Sequence, residues 1–282
     1  MWYIFAMFLT PASPLWLHQT PVFDHFCSRF GLFSGLERAE LLKRICAAFA
    51  AMPFENLTKI LSAADNGRSE RRRRLPLRVV GEYLSFGTGG TCFSLNAACI
   101  AVLSHFGFEA WPLLCDRNYG ANTHCAVLLM VDGVAHLLDP GYLMYTPLVL
   151  PTALVSRSSN GFNDVELTPR DGGERVELAT IMGAQRRYRL TYKVQRIDEQ
   201  TFLRAWDDSF AFDMMGYAVL TYCRGGEHCY LQGSVLRIRD SQGVRRFELT
   251  PQQQYEFLVT QTGIDAALGT RLLSVVGNGT AS

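Results

Sequence analysis

Apolar residues recur at helical spacing through the first third of the chain. "FDHFCSRFGLFSG" (23–35) is punctuated by glycines, and "LERAELLKRICAAFAAM" (36–52) repeats apolar side chains every three or four positions. The stretch from Pro21 to about Leu61 is therefore expected to be helical. Ser34 and Glu37, three apart ahead of the second repeat, have the spacing of a capping box. "PFENL" (53–57) breaks that helix through its proline, and "PLRVVGEYLSFGTGGT" leads to Cys92. "CFSLNAACIAVLSHFGF" then places apolar residues at 93, 95, 99, 100, 102, 103 and 106, with Gly107 as a stop. It predicts a buried helix beginning at or just before Cys92.

Beyond Gly107 the texture becomes strand-like. "EAWPLLCDR", "HCAVLLMV", "VAHLLDPGY", "RVELATIMG" and "RRYRLTYKVQRI" are separated by turn signals at Asp132-Gly133, Asp139-Pro140-Gly141 and Asp171-Gly172-Gly173. From Thr201 the types mix: a short helix, strands around "AVLTYC", "YLQGSVLRIRD" and "VRRFELT", a helix from Pro251 to about Ile264, and a tail helix. The order excludes the alternating pattern of a Rossmann sheet. The expected organisation is an extension at 1–20, a helical region at 21–107, a β region at 108–200 and a mixed α/β region at 201–282.

A chain of 282 residues with 48% hydrophobic positions can bury a large core. Its formal charge of +1 gives no footprint for nucleic acid. "RSERRRRLP" (68–76) is the local exception, with arginines at 68 and 71–74, and it is expected either in water or against an anion. Eight cysteines show neither a CxxC pair nor zinc-type spacing, so reduced thiols, no metal and a cytoplasmic setting are expected. "MWYIFAMFL" opens the chain as an apolar run with no basic residue before it. It is too short to span a bilayer, and no membrane association is expected.

The candidate chemistry centres on Cys92. A helix N-terminus favours thiolate over thiol, and Gly89 and Gly90 let main-chain amides approach an oxyanion. A nucleophilic cysteine needs a base, and the base needs an orienting acceptor. His124 opens an apolar strand, and Asp139 closes the next one. With a turn at Asp132-Gly133, facing positions in that hairpin sum to about 265, so His124 comes alongside residues 139 to 141. His136, inside the partner run, is the rival base. A Cys92-His124-Asp139 triad follows.

Four segments in order, "PFENL", "GGTCFSLN", "THCAVLLM" and "LLDPGY", resemble the arylamine N-acetyltransferases, over roughly residues 20 to 265. The resemblance implies an α+β fold: an N-terminal helical bundle, a central antiparallel β-barrel and a C-terminal α/β lid around a cysteine-protease-like core. It also implies ping-pong transfer of an acetyl or short acyl group from acetyl-CoA, through acyl-Cys92, to a small-molecule arylamine or hydrazine. Phe54, Phe93, Gly90 and Thr123 would contact substrate, and Arg71, Arg72, Arg73 and Arg74 are candidates for the CoA phosphates. A monomer or homodimer is expected. Thr88 and Ser94 stand where the family has arginine and glutamate, so a buried charge pair is expected to be missing there. Asp139-Pro140-Gly141-Tyr142-Leu143 replaces the usual Asp-Val-Gly-Phe-Gly, which predicts an altered pocket. Three readings compete: an amide synthase using a carrier-bound thioester, a transglutaminase-like Cys-His-Asp hydrolase, and an inactive relative.

Overall fold

The computed structural model describes residues 8–159, 161–162 and 164–278. Eight helices are α1 (Pro21–Phe30), α2 (Arg38–Ala50), α3 (Leu57–Asn66), α4 (Pro76–Phe86), α5 (Cys92–His105), α6 (Glu199–Asp208), α7 (Pro251–Glu256) and α8 (Ala266–Asn278). The strands are β1 (Phe54–Glu55), β2 (Glu109–Arg117), β3 (Gly120–Val131), β4 (Val134–Asp139), β5 (Met144–Val149), β6 (Ser156–Ser159) and β7 (Asp164–Arg170). They continue as β8 (Arg175–Met182), β9 (Gln185–Lys193), β10 (Val219–Arg224), β11 (Glu227–Gln232), β12 (Val235–Asp240) and β13 (Gly243–Glu248).

An eight-stranded antiparallel sheet, in the order β5-β4-β3-β2-β9-β8-β7-β6, curls into a nearly closed barrel. A second sheet runs β1-β10-β11-β12-β13. The fold is thus α+β with the expected barrel. However, the second sheet takes its edge strand β1 from the "PFENL" segment, 163 residues before the partner of its asparagine. The first and last thirds of the chain are therefore stitched together.

The near-continuous apolar runs of β2 and β3 are explained by burial on both faces. Ala110, Leu114, Cys125, Val127 and Leu129 pack with α5, whereas Trp111, Leu113, Ala126 and Leu128 fill the barrel. The α5 helix is accordingly apolar all round, and every residue from Cys92 to Ser104 is buried. The extension contributes to the same core: Leu9, Leu15 and Leu17 are fully buried. The run at 1–7 lies outside the described residues. No described helix is long and apolar enough to cross a membrane.

The hairpin follows the predicted register. Val131 faces Val134 and Val127 faces Leu138, with Asp132 and Gly133 both at positive φ, as a two-residue primed turn demands. The capping expectation is corrected. Glu37 is itself the N-cap of α2, its carboxylate accepting from the N–H groups of Ala39 and Glu40 at 2.9 and 3.1 Å, and Ser34 has no part in it. Three strands between 144 and 170 had no sequence signal, because serine, proline and charged residues interrupt their apolar positions.

The stitch depends on Asn56, which is fully buried. Its amide donates to the carbonyls of Met214 (2.5 Å) and Tyr217 (2.8 Å), and its oxygen accepts from Val219 N–H at 2.7 Å. Asn56→Ala leaves those groups without partners and is expected to cost about 2–4 kcal/mol by denaturant unfolding.

Candidate active site

The nucleophile's position is set by a close backbone contact. Residues 53–55 run against the glycines before α5: Glu55 N–H donates to Gly90 O at 2.9 Å and Gly90 N–H to Pro53 O at 3.3 Å. A Cβ on Gly89 would fall 1.7 Å from Pro53 O, and one on Gly90 would meet Ser94 Oγ at 2.2 Å. Gly89 is therefore required by this main-chain contact, and Gly90 by the side chains of Ser94 and Arg74 packed against it. The Gly90 N–H is spent on Pro53, and Gly90 does not line the cavity that holds Cys92, which corrects its expected substrate role.

Cys92 is the first residue of α5, with Thr91 as N-cap. His124 comes from β3, which begins four residues earlier than the apolar pattern suggested. Asp139 ends β4. His124 and Asp139 stand diagonally on one face of the hairpin, and both are fully buried. His124 Nε2 lies 2.8 and 3.0 Å from the two carboxylate oxygens, and Nδ1 faces the side that holds Cys92 and Arg117, whose Nη2 is 3.3 Å away. Tyr192 on β9, a residue with no sequence signal, donates its hydroxyl to Asp139 Oδ2 at 2.8 Å. Gly141 passes so close that a Cβ there would lie 2.7 Å from His124 Cε1. His136, the rival base, bonds its own strand at Val134 O and takes no part.

The electrostatics favour an ion pair. A hydrogen bond from the Cys125 thiol holds the Cys92 pKa well below the ordinary thiol value, against the opposing effect of burial, and His124 and Arg117 add to the lowering. Burial works against a charged imidazole at His124, but Asp139 and Cys92 outweigh it and raise its pKa to about 9. The two shifts act in the same sense, and together they favour thiolate at Cys92 beside imidazolium at His124. Asn96, one turn along α5, fixes Cys125 by donating to its carbonyl at 2.7 Å.

Cys92, His124, Phe54, Phe93 and Thr123 line one cavity of about 610 Å³. Lys59 lines it too and is only 4% exposed. Its ammonium donates to Ser209 O and Oγ at 2.7 and 2.6 Å, and burial lowers its pKa to about 8. Among the described residues no group of three or more His, Cys, Asp or Glu side chains could hold a metal ion.

The arginine run behaves differently from expectation. Arg73 pairs with Asp207, and Arg72 lies over the Phe210 ring at 4.4 Å. Arg74 is 2% exposed. Its guanidinium reaches Thr58 Oγ1 (2.6 Å), Gly89 O (2.7 Å) and Glu82 (2.8 Å), and stands 3.7 Å from the buried Glu55. A buried charge network therefore does stand behind the glycines, with Arg74 supplying the cation at a site where Thr88 carries none. Only Arg71 of the four is exposed, and none lines the cavity that holds Cys92.

With that geometry in view, comparison with known proteins is informative at the level of fold. No family model matches the chain, and no curated protein matches it in sequence. Solved structures do. The arylamine N-acetyltransferase from Mycobacterium abscessus superposes with a TM-score of 0.72 at 18% identity, covering 90% of this chain and 94% of that one. The chain has the arylamine N-acetyltransferase fold. The Mycobacterium marinum arylamine N-acetyltransferase in complex with CoA gives 0.72 at 17% identity over 90% and 97% of the two chains. The arylamine N-acetyltransferase from Salmonella typhimurium gives 0.71 at 17% identity over 91% and 99%. Nearly the whole of each such chain has a counterpart here.

Arg74→Ala strands Glu55 and removes the brace on Gly89, so a loss of about 3–5 kcal/mol is expected by denaturant unfolding. Arg71→Ala, one helical turn away in sequence but exposed, should change stability by no more than about 0.5 kcal/mol.

Proposed function

We propose that the protein is an acyltransferase that moves an acetyl or other short acyl group from a CoA thioester to an arylamine or hydrazine, through an acyl-Cys92 intermediate. The observation that carries this reading is the buried His124–Asp139 pair beside a helix-borne Cys92, at the wall of a cavity in this fold. The CoA complex of the Mycobacterium marinum protein supports the choice of donor.

The residues account for each proton. The Cys92 thiolate bonds to the acyl carbon, the bond from that carbon to the CoA sulfur breaks, and the departing thiolate takes the proton from His124 Nδ1. The imidazole, now neutral, accepts a proton from the amine as its nitrogen attacks the acyl-cysteine. Collapse of that adduct forms the amide and restores the Cys92 thiolate beside imidazolium. Asp139, held by Tyr192, keeps Nε2 protonated and the ring oriented throughout. Phe54 and Phe93 offer apolar walls, and Thr123 a polar edge, for the acyl group and the amine.

Incubation with acetyl-CoA and no amine, followed by an acid quench and intact mass spectrometry, tests the reading. One acetyl adduct is expected on the wild type and none on Cys92→Ala, and the adduct should disappear on addition of an arylamine or hydrazine. Steady release of acetate without amine would instead mark a hydrolase, and the absence of any adduct would contradict the proposal.

A further inference from the structure

Three helices of this protein begin on a threonine, and two of them use it in the ordinary way. Thr20 accepts from Phe23 N–H at the head of α1, and Thr250 accepts from Gln253 N–H at the head of α7. Thr91, the N-cap of α5, makes no such bond. Its hydroxyl has no hydrogen-bond partner among the described residues, although Thr91 is only 2% exposed. A buried hydroxyl without a partner is destabilising, and so is a helix end whose cap is not used. Both occur here, at the residue before the nucleophile, and Thr91 lines the cavity that holds Cys92.

The main chain beside it is open in the same way. Leu95 is the first residue of α5 whose N–H reaches a carbonyl, that of Thr91 at 2.9 Å. The N–H groups of Cys92, Phe93 and Ser94 have no acceptor among the described residues. Ser94 Oγ donates to the Thr91 carbonyl at 3.2 Å and so does not cover them. These donors stand at the positive end of the helix dipole. Together with the Thr91 hydroxyl they form a place for a negative oxygen, directly beside the carbon that Cys92 would attack. Thr88 also carries a buried hydroxyl without a partner, but it precedes the helix and does not line the cavity.

We propose that the Thr91 hydroxyl is a catalytic donor to the oxyanion formed when Cys92 attacks an acyl group, acting with the open N–H groups at the head of α5. The assignment rests on the acyl-transfer reading above and adds a residue to it. As the Cys92 thiolate bonds to the acyl carbon, the carbonyl π pair moves onto oxygen and leaves one negative charge there. Thr91 keeps its proton and donates it in a hydrogen bond to that oxygen. The pair then returns to re-form the carbonyl, and the bond to the departing sulfur breaks. Attack of the amine on acyl-Cys92 places the same charge on the same oxygen, so one donor serves both half-reactions. Donors that hold no partner in the resting protein need release none as the charge develops, which is how a preorganised site lowers a barrier.

Thr91→Val exchanges the hydroxyl for a methyl group of similar shape. Stopped-flow release of nitrophenolate from p-nitrophenyl acetate reads the acylation of Cys92. Its saturating rate constant is expected to fall about 100-fold in Thr91→Val, with the half-saturating concentration unchanged, and to be mostly kept in Thr91→Ser. Alkylation of Cys92 by iodoacetamide passes through no oxyanion, so Thr91→Val should leave that rate within about twofold of the wild type. Thr88→Val, the same change outside the cavity, should leave both rates within about twofold. Equal acylation rates in wild type and Thr91→Val would overturn the proposal. So would equal losses of acylation and alkylation, which mark a displaced helix rather than a missing donor. If Thr91→Val does not fold, the ratio of acylation to alkylation in Thr91→Ala decides in the same way. The probe contains no CoA, so these ratios read the same whether or not acetyl-CoA is the donor.

Discussion

The contact between Pro53 and Gly89 governs the rest of the site. Two stretches of main chain meet there with no room for a Cβ, so the start of α5 is fixed relative to β1 and not merely to its own helix. Such a contact needs bracing, because it places a carboxylate, Glu55, out of reach of water. Thr58 donates to both oxygens of Glu55, at 2.8 Å from its N–H and 2.5 Å from its hydroxyl, and Arg74 brings the positive charge. Burial still pushes the Glu55 carboxyl upward against those partners. One residue further on, Asn56 ties the same segment to β10, which forms part of the cavity wall. A five-residue segment thus positions the nucleophile, buries a charge and anchors the second sheet.

The catalytic arrangement follows from that anchor together with the barrel hairpin. The helix supplies a sulfur whose charge the surrounding donors stabilise; the hairpin supplies an imidazole whose charge a buried carboxylate stabilises. Neither charge would survive such burial alone, and each is favoured by the other. The same burial raises the stakes for the cations beside the nucleophile. Lys59 is held by Ser209 at some cost in basicity, and Arg117 lies against the very nitrogen that must exchange protons.

Much of this was legible in the sequence where local chemistry dictates geometry. The Asp132-Gly133 turn fixes a two-residue hairpin, and simple counting from it brings His124 and Asp139 together. The apolar run after Cys92 marks a helix too apolar to be anything but buried. What was not legible is set by tertiary contact. A run of arginines reads as a solvated loop, yet Arg74 is buried because Glu55, nineteen residues earlier, needs a cation that Thr88 does not supply. Tyr192 and Lys59 lie in strand and helix patterns like any other, and only the folded chain brings them to Asp139 and Ser209. The glycines suggested close approach to an oxyanion, whereas the groups packed against them are the chain's own: Pro53 main chain at Gly89, and the Ser94 and Arg74 side chains at Gly90.

The central claim is that Cys92 rests as a thiolate paired with imidazolium. Thiolate absorbance near 240 nm, followed against pH and corrected with Cys92→Ala, measures it directly. The account requires the Cys92 signal to persist well below the ordinary cysteine range near 8.5 and to fade only in acid, and to move back toward that range in His124→Ala. A Cys92 that titrates near 8.5 in the wild type, or one unaffected by loss of His124, would contradict it.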